Sequence, residues 1–225
     1  MSSRRSLHLT PAILLQAYAA GIFPMAENAN SHELRWFDPP LRAIIPLDSR
    51  FHVPSRLRRT IRKHKYTVRL NTSFSEVIRS CAAARPERPI TWINDEIIRL
   101  YIKLHHLGHA HSVEIWDGHH LAGGLYGASL GGAFFGESMF SLKPDTSKIA
   151  LVYLVALLRH CGFVLLDTQF QTDHLARFGT FEITRAHYHH LLAGAIEKKA
   201  SLTLSPGIDW DRLVYSFLQP VTHRS

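Results

Sequence analysis

The chain is short of acid and almost without cysteine. Eighteen Asp and Glu stand against 26 Lys and Arg over 225 residues, a formal charge of +8. The two cysteines, Cys81 and Cys161, lie far apart and form no CxxC unit. That usage excludes a disulfide framework and fits free thiols in a reducing cytosol, so a cytoplasmic location is expected. No run reaches the ~20 apolar residues that a membrane span requires, and no membrane partner is expected. A Walker phosphate loop, a GxSxG elbow and an HExxH helix are also missing. Histidines cluster in "HHLGHAHS" (105–112) and "HYHH" (187–190), but no Asp or Glu stands at ligand spacing beside them. Neither a metal nor a cofactor is therefore expected.

What the chain does contain is 46% apolar and 20% charged residues, a composition that supports one large domain or two small ones. The positive charge is concentrated. Arg50, Arg56, Arg58, Arg59, Arg62, Lys63, Lys65 and Arg69 occur with no acid among them. Such a block draws polyanions through phosphate contacts, or it is a solvated helix face. The N-terminal "PAILLQAYAAGIF" has a faint likeness to a secretory signal, but Gln16 and Tyr18 interrupt it and Thr10-Pro11 starts a helix well. A folded helix over 11–20 is expected.

The pattern then predicts an irregular stretch to Pro40, a strand over 42–47, a basic helix over 53–65 and a strand over 66–71. Ser73 and Glu76 have capping-box spacing for a helix over 74–84. Asn94 and Gly108 bracket another helix. "HAHSVEIW", a turn at Asp117-Gly118, and "HHLAGGLYGASL" form a hairpin, and a Gly131-Gly132 turn returns "AFFGESMF". Thr146 or Ser147 caps a strongly apolar helix, followed by strand, short helix, strand and helix. This order implies an α+β fold with a mixed sheet flanked by helices, of the kind acyltransferases use.

Four stretches carry more than packing. In "GGAFFGESMFS", alternation without a bulge places Glu137 on one face with Phe135 and Met139, and Phe134 and Phe140 on the other. An apolar wall with one carboxylate suits an apolar ligand bearing an ammonium group. Leu151, Leu154, Val155 and Leu158 recur as one stripe on the apolar helix, either plain core or a pocket wall. Asp167 and Gln169, two apart at a strand end, form a proton-handling pair or bind a loop. Trp36, Phe37, Trp92 and Tyr101 supply either base-stacking surfaces or core.

Together "AYAAGIFPM", "WFDPPLR", "TWIN", "LGHAHSVEIW", "GGLYG", "FFGESMFS" with "SKIAL", and "LLDTQFQTDHLARFG" resemble the leucyl/phenylalanyl-tRNA–protein transferases. The likeness runs from about Thr10 to Lys198. It implies an enzyme that moves Leu or Phe, and less readily Met, from aminoacyl-tRNA to proteins beginning with Arg or Lys, marking them for N-degron degradation. It also implies a GNAT-like acyltransferase domain over 50–225, behind a small N-terminal α/β domain over 1–49, in a monomer. By motif, Asp167 and Gln169 would be the catalytic pair. Glu137 would contact the aminoacyl ammonium, with Met139, Phe134, Leu151, Leu154, Leu158, Leu166 and Ser141 around the aminoacyl group. Trp36, Phe37, Trp92 and Tyr101 would hold the 3′-terminal adenosine, and Arg56, Arg58, Arg59, Arg62, Lys63 and Lys65 the tRNA backbone. Thr172 stands where relatives often carry Asn, and Leu154 and Leu158 where some are aromatic. Two other classes compete: a coenzyme A-dependent acyltransferase, disfavoured by the missing Gly-rich loop, and a non-catalytic tRNA-binding module, which leaves Glu137, Asp167 and Gln169 unexplained.

Overall fold

Thr10 opens the first element, its hydroxyl accepting from the Ile13 amide at 3.3 Å ahead of α1 (Pro11–Ala19), and Gly21 follows with φ +77°. This is the Pro-first, Gly-after arrangement that leaves few helix-end groups unpaired. The computed structural model describes residues 9–31, 33–85, 89–203 and 208–219. The stretch expected to be irregular holds an antiparallel ribbon, β1 (Phe23–Ala26) and β2 (Leu34–Phe37). Its register sets Phe23 opposite Phe37, their rings stacked with centroids 5.8 Å apart. That cross-strand aromatic pair supplies what the sequence alternation does not.

β3 (Leu41–Ile45) precedes α2 (Ser55–Ile61), which is shorter than the basic run because His64 turns left-handed at φ +47°. After β4 (Thr67–Leu70), α3 (Phe74–Ala82) starts without the expected capping box. Its loop donors turn elsewhere: the Thr72 and Ser73 amides donate to the buried Glu114 carboxylate at 2.9 and 2.8 Å. α4 (Asp95–His106) does use Asn94, which accepts from the Ile97 amide at 2.9 Å. β5 (Ala110–Asp117), β6 (His120–Leu130) and β7 (Ala133–Ser141) form the expected meander, with Gly118 and Gly131 at positive φ in its turns. α5 (Thr146–His160), β8 (Leu165–Gln169), α6 (Asp173–Ala176), β9 (Phe181–Thr184) and α7 (Arg185–Ile196) follow, and α8 (Trp210–Leu218) is an element the pattern did not announce.

Neither Thr146 nor Ser147 caps α5. Asp145 occupies the cap position at φ +64°, and Ser141 Oγ, from β7, accepts the Ser147 amide at 3.0 Å. α5 is also buried all round rather than along one stripe, as fits a helix sunk between a sheet and further helices.

Seven strands form the main sheet in the order β4-β5-β6-β7-β8-β3-β9. One apolar layer, with side chains from α1, α3, α4 and α7, covers one face, and α2, α5 and α8 cover the other. The architecture is α+β. Among the described strands of this sheet, only β7 and β8 pair in parallel, and only over Ala133–Leu165, Phe134–Leu166 and Phe135–Asp167. Beyond those three pairs the strands part, and a crevice opens outside their carboxyl ends, where open sheets commonly bind ligands.

Candidate active site

The parting begins with a bulge. Tyr126 pairs with Ser138 and Gly127 with Gly136, so Glu137 is left without a partner across the ladder. A Cβ on Gly127 would collide with the Phe134 ring and the Phe135 carbonyl, so this approach requires glycine. The extra residue shifts the parity of β7 and corrects the simple alternation. Phe135 and Phe140 now share one apolar layer, and Phe134 and Met139 the other.

Glu137 is drawn inward by this bulge. Its Oε1 accepts from Tyr18 of α1 at 2.5 Å and from Gln169 Nε2 of β8 at 3.1 Å, and Tyr18 is itself hydrogen-bonded to Tyr101 of α4. Oε2 is buried with no hydrogen-bond partner among the described residues. Burial pushes the Glu137 carboxyl up to about 7; the charge on Asp167 adds to the rise, and the hydrogen bonds from Tyr18 and Gln169 oppose it. The two tyrosines are pushed well above their ordinary range, first by burial and then by the Glu137 charge.

Gln169 ends β8 in a conformation that few side chains adopt, at φ +63°. The Phe170 amide donates back to Thr168 O at 2.7 Å, which makes a tight γ-turn. The Gln169 amide donates to Asp167 Oδ1 at 2.8 Å. Asp167 itself is fully buried. The guanidinium of Arg42, on β3, clamps its carboxylate from Nε at 2.9 and 3.1 Å and from Nη2 at 2.7 Å, and the Tyr188 hydroxyl donates at 2.8 Å.

In front of this turn lies a cavity of about 800 Å³. Leu125, Met139, Leu151, Leu154, Leu166 and Leu175 give it an apolar floor. Glu137, Gln169 and Ser141 are its polar groups from the expected set, and Trp92 and Phe170 stand on its wall. It is large enough for an aminoacyl group and a nucleoside.

Of the residues singled out in sequence, Glu137, Met139, Ser141, Leu151, Leu154, Leu166, Gln169 and Trp92 line this cavity together. Phe134 and Leu158 do not; they pack behind the wall in the same apolar layer. Asp167 faces away, into its ion pair. Tyr101 is buried in the core, edge-on to Tyr126, and presents no face to a base. Trp36, 43% exposed, and Phe37 sit on the β1–β2 ribbon outside the lining. Arg56, Arg59, Arg62, Lys63 and Lys65 are exposed around α2. Arg58 donates to Gln219 O at 2.8 Å and Arg62 to Leu218 O, at the carboxyl end of α8.

Sequence reasoning missed Arg42, Tyr18, Tyr188 and Phe170. Arg42 sits in an ordinary strand, and only a partner far along the chain gives it meaning. The clustered histidines go to structural bonds: His105 Nδ1 meets Ala110 O at 2.8 Å, and His111 lies between Asn71 and Ser129. No described helix is long and apolar enough to cross a membrane, and no group of three or more potential ligands for a metal occurs among the described residues.

The family model described as leucyl/phenylalanyl-tRNA protein transferase matches residues 44–193, and the model of that family's N-terminal domain matches residues 8–40. Curated relatives carry the same name. The protein of Paramagnetospirillum magneticum is 52% identical over 90% of this chain and 97% of its own. Those of Nitrobacter winogradskyi and Rhodopseudomonas palustris are 55% and 54% identical, over 89% and 92% of this chain and the same shares of theirs. Among solved structures, that of L-PGS from Bacillus licheniformis is similar at a TM-score of 0.41 and 15% identity, over 71% of this chain and 53% of that one, too distant to support an argument. With two family models in tandem and relatives matched nearly end to end, the chain belongs to the leucyl/phenylalanyl-tRNA–protein transferase family.

Proposed function

We propose that this chain transfers a leucyl or phenylalanyl group, and less readily methionyl, from aminoacyl-tRNA to the α-amine of a protein beginning with Arg or Lys. The product carries a new N-terminal residue that marks it for degradation. The observation that carries the reading is a buried carboxylate oxygen, Glu137 Oε2, without a partner among the described residues, at the edge of a Leu- and Met-floored cavity. An aminoacyl ester supplies both complements: an ammonium for the oxygen and an apolar side chain for the floor.

In this reading the ester carbonyl carbon lies near Gln169. The acceptor's neutral α-amine attacks it, the bond to the ribose 3′-oxygen breaks, and the amine's proton ends on that oxygen. The ester is already activated, so positioning supplies most of the acceleration, up to roughly 7–11 kcal/mol. The Gln169 side-chain amide donates to the developing oxyanion or orients the amine. Asp167 enters as the group that fixes Gln169, because its oxygens are occupied by Arg42, Tyr188 and the Gln169 amide. Met139, Leu151, Leu154 and Leu166 take the side chain, with Phe134 and Leu158 behind them, and Ser141 holds the α5 end of the cavity. Trp92 stacks on the terminal adenine with Trp36 or Phe37 on the far side, and Tyr101 acts through Tyr18 on Glu137. Exposed Arg56, Arg59, Lys63 and Lys65 meet the tRNA backbone, with the outward faces of Arg58 and Arg62 beside them.

We further read the chain as a cytoplasmic monomer with a GNAT-like domain whose split parallel strands take the aminoacyl end of tRNA in place of coenzyme A; the small leading domain expected over 1–49 is cut back to end before Leu41, because β3 lies inside the main sheet between β8 and β9. The test is direct. Radiolabelled Leu-tRNA is mixed with a peptide beginning with Arg, without ATP or coenzyme A. Label on that peptide and none on a Gly-initiated control is the expected result. Bound tRNA with no transfer would favour a binding module instead.

A further inference from the structure

Arg42 is the largest fully buried side chain of the described core and lines no part of the cavity. All three nitrogens of its guanidinium donate. Nε and Nη2 clamp Asp167, Nη2 also reaches the Tyr188 hydroxyl at 3.2 Å, and Nη1 donates to Gly21 O at 3.1 Å. Its Cζ lies 4.5 Å from the Phe23 ring centroid and 4.3 Å from that of Tyr188. Burial works against its charge, but the bond to Asp167 outweighs that and holds the guanidinium above its ordinary range. So large an investment of buried polarity, braced from the turn after α1, from β1 and from α7 at once, converges on a single carboxylate.

That carboxylate has one remaining bond, and it points toward the cavity. Asp167 Oδ1 accepts the Gln169 amide at 2.8 Å and so holds a non-glycine residue at φ +63°. Left-handed backbone persists at a non-glycine residue only where its surroundings enforce it. The γ-turn in turn sets Gln169 Nε2 at 3.1 Å from Glu137. A chain of direct bonds thus runs from Arg42, behind the sheet, to the one amide side chain at the reacting edge.

We propose that Arg42 is a positioning residue for acyl transfer, holding Asp167 so that Asp167 holds the Gln169 turn. This rests on the transfer reading above. The fork matters as much as the charge, because a lysine ammonium offers a single point and cannot fix both carboxylate oxygens and the Gly21 carbonyl together.

The experiment measures kcat and KM for Phe-tRNA, with thermal melts, in Arg42→Lys, Tyr188→Phe and Arg42→Ala. Arg42→Lys should lose about a hundredfold in kcat, the effect of a misplaced reacting group, with KM moving by less than about threefold, since the aminoacyl pocket is untouched. Tyr188→Phe keeps the ring beside the guanidinium and removes one bond to Asp167, so kcat should fall about tenfold. Arg42→Ala leaves a slot between two rings. Guanidinium ion at about 50 mM, below denaturing levels, should restore kcat at least about tenfold where methylammonium does not. A folded Arg42→Lys with wild-type kcat would overturn the proposal. So would losses in all three variants that follow the folded fraction alone, with no rescue. If the wild-type chain itself transfers nothing to an Arg peptide, the reaction reading falls, and this inference with it.

Discussion

Glu137 burdens the empty protein, and replacing it should reveal by how much. Its carboxyl rises from 4.5 to about 7 on folding. At about 1.4 kcal/mol per pH unit, its ionised form is disfavoured in the folded chain by about 3 kcal/mol relative to the unfolded one. Below pH ~4.5 the group is protonated in both states and nothing is lost. Stability falls as pH rises from there to about 7, and the deficit is complete above it. Glu137→Gln cannot ionise and keeps an oxygen for Tyr18 and Gln169, but it sets an amide nitrogen where Oε2 has no partner. That orphaned donor costs about 1 kcal/mol, which leaves a net gain of about 2 kcal/mol at pH 8. For a chain of this size the melting temperature should rise by about 4–8 °C. Urea unfolding followed by tryptophan fluorescence, at pH 5 and pH 8, reads the difference, and the same preparations are assayed for transfer. The variant should be more stable at pH 8, nearly level with the wild type at pH 5, and poor in transfer. A variant less stable than the wild type at pH 8, or one that gains equally at both pH values, would refute the unpaired-carboxylate argument.

Gln169→Gly should keep the fold, because glycine accepts φ +63° and recovers about 1–2 kcal/mol of left-handed strain. Transfer should nonetheless fall about a hundredfold; undiminished transfer would leave the side-chain amide without a role. Leu154→Phe narrows the cavity floor and should move the Leu-to-Phe ratio of kcat/KM toward Leu by about 10–200-fold, measured in competition. Removing Arg56 and Lys63 should each reduce the salt slope of tRNA binding by about 1 without altering the melt. Arg58→Ala should lower the melting temperature as well, since its guanidinium holds the carboxyl end of α8.

The sequence was most legible where structure is local. The Thr10 and Asn94 caps, the glycines after α1 and α4, and the meander with its two-residue turns act within a few residues, so their chemistry can be read in place. The Ser73 cap failed because Glu114, from a strand laid alongside, took the loop donors first. The bulge was invisible for a similar reason: it exists because Gly127 lets β7 approach, which is a property of the partner strand. Among site residues, Glu137 drew attention as a polar group in apolar company, and Gln169 as an amide two residues from an acid at a strand end. Arg42 did not, because an arginine in "LRAII" looks like any strand edge until Asp167 arrives. Tyr101 failed as a stacking surface because a phenol two turns into a helix reads alike whether it faces out or in.

The three-residue seam between β7 and β8 has a consequence for how the protein is made. β5 through β7 are consecutive antiparallel strands joined by tight turns, which need only short loop closures and form early. β3 must wait for β8, because the Arg42 and Asp167 that meet there are 125 positions apart, and Tyr188 comes later still. A chain emerging from its N-terminus therefore presents Leu125, Met139, Leu151 and Leu154 of the cavity floor first, from β6, β7 and α5, and adds Leu166 and Leu175 with β8 and α6. The reacting turn is set only when α7 has docked against β3. A chain ending before α7 lacks Tyr188, one of the donors that fix Asp167, so the Gln169 turn at the cavity edge is the last part of the fold to be secured.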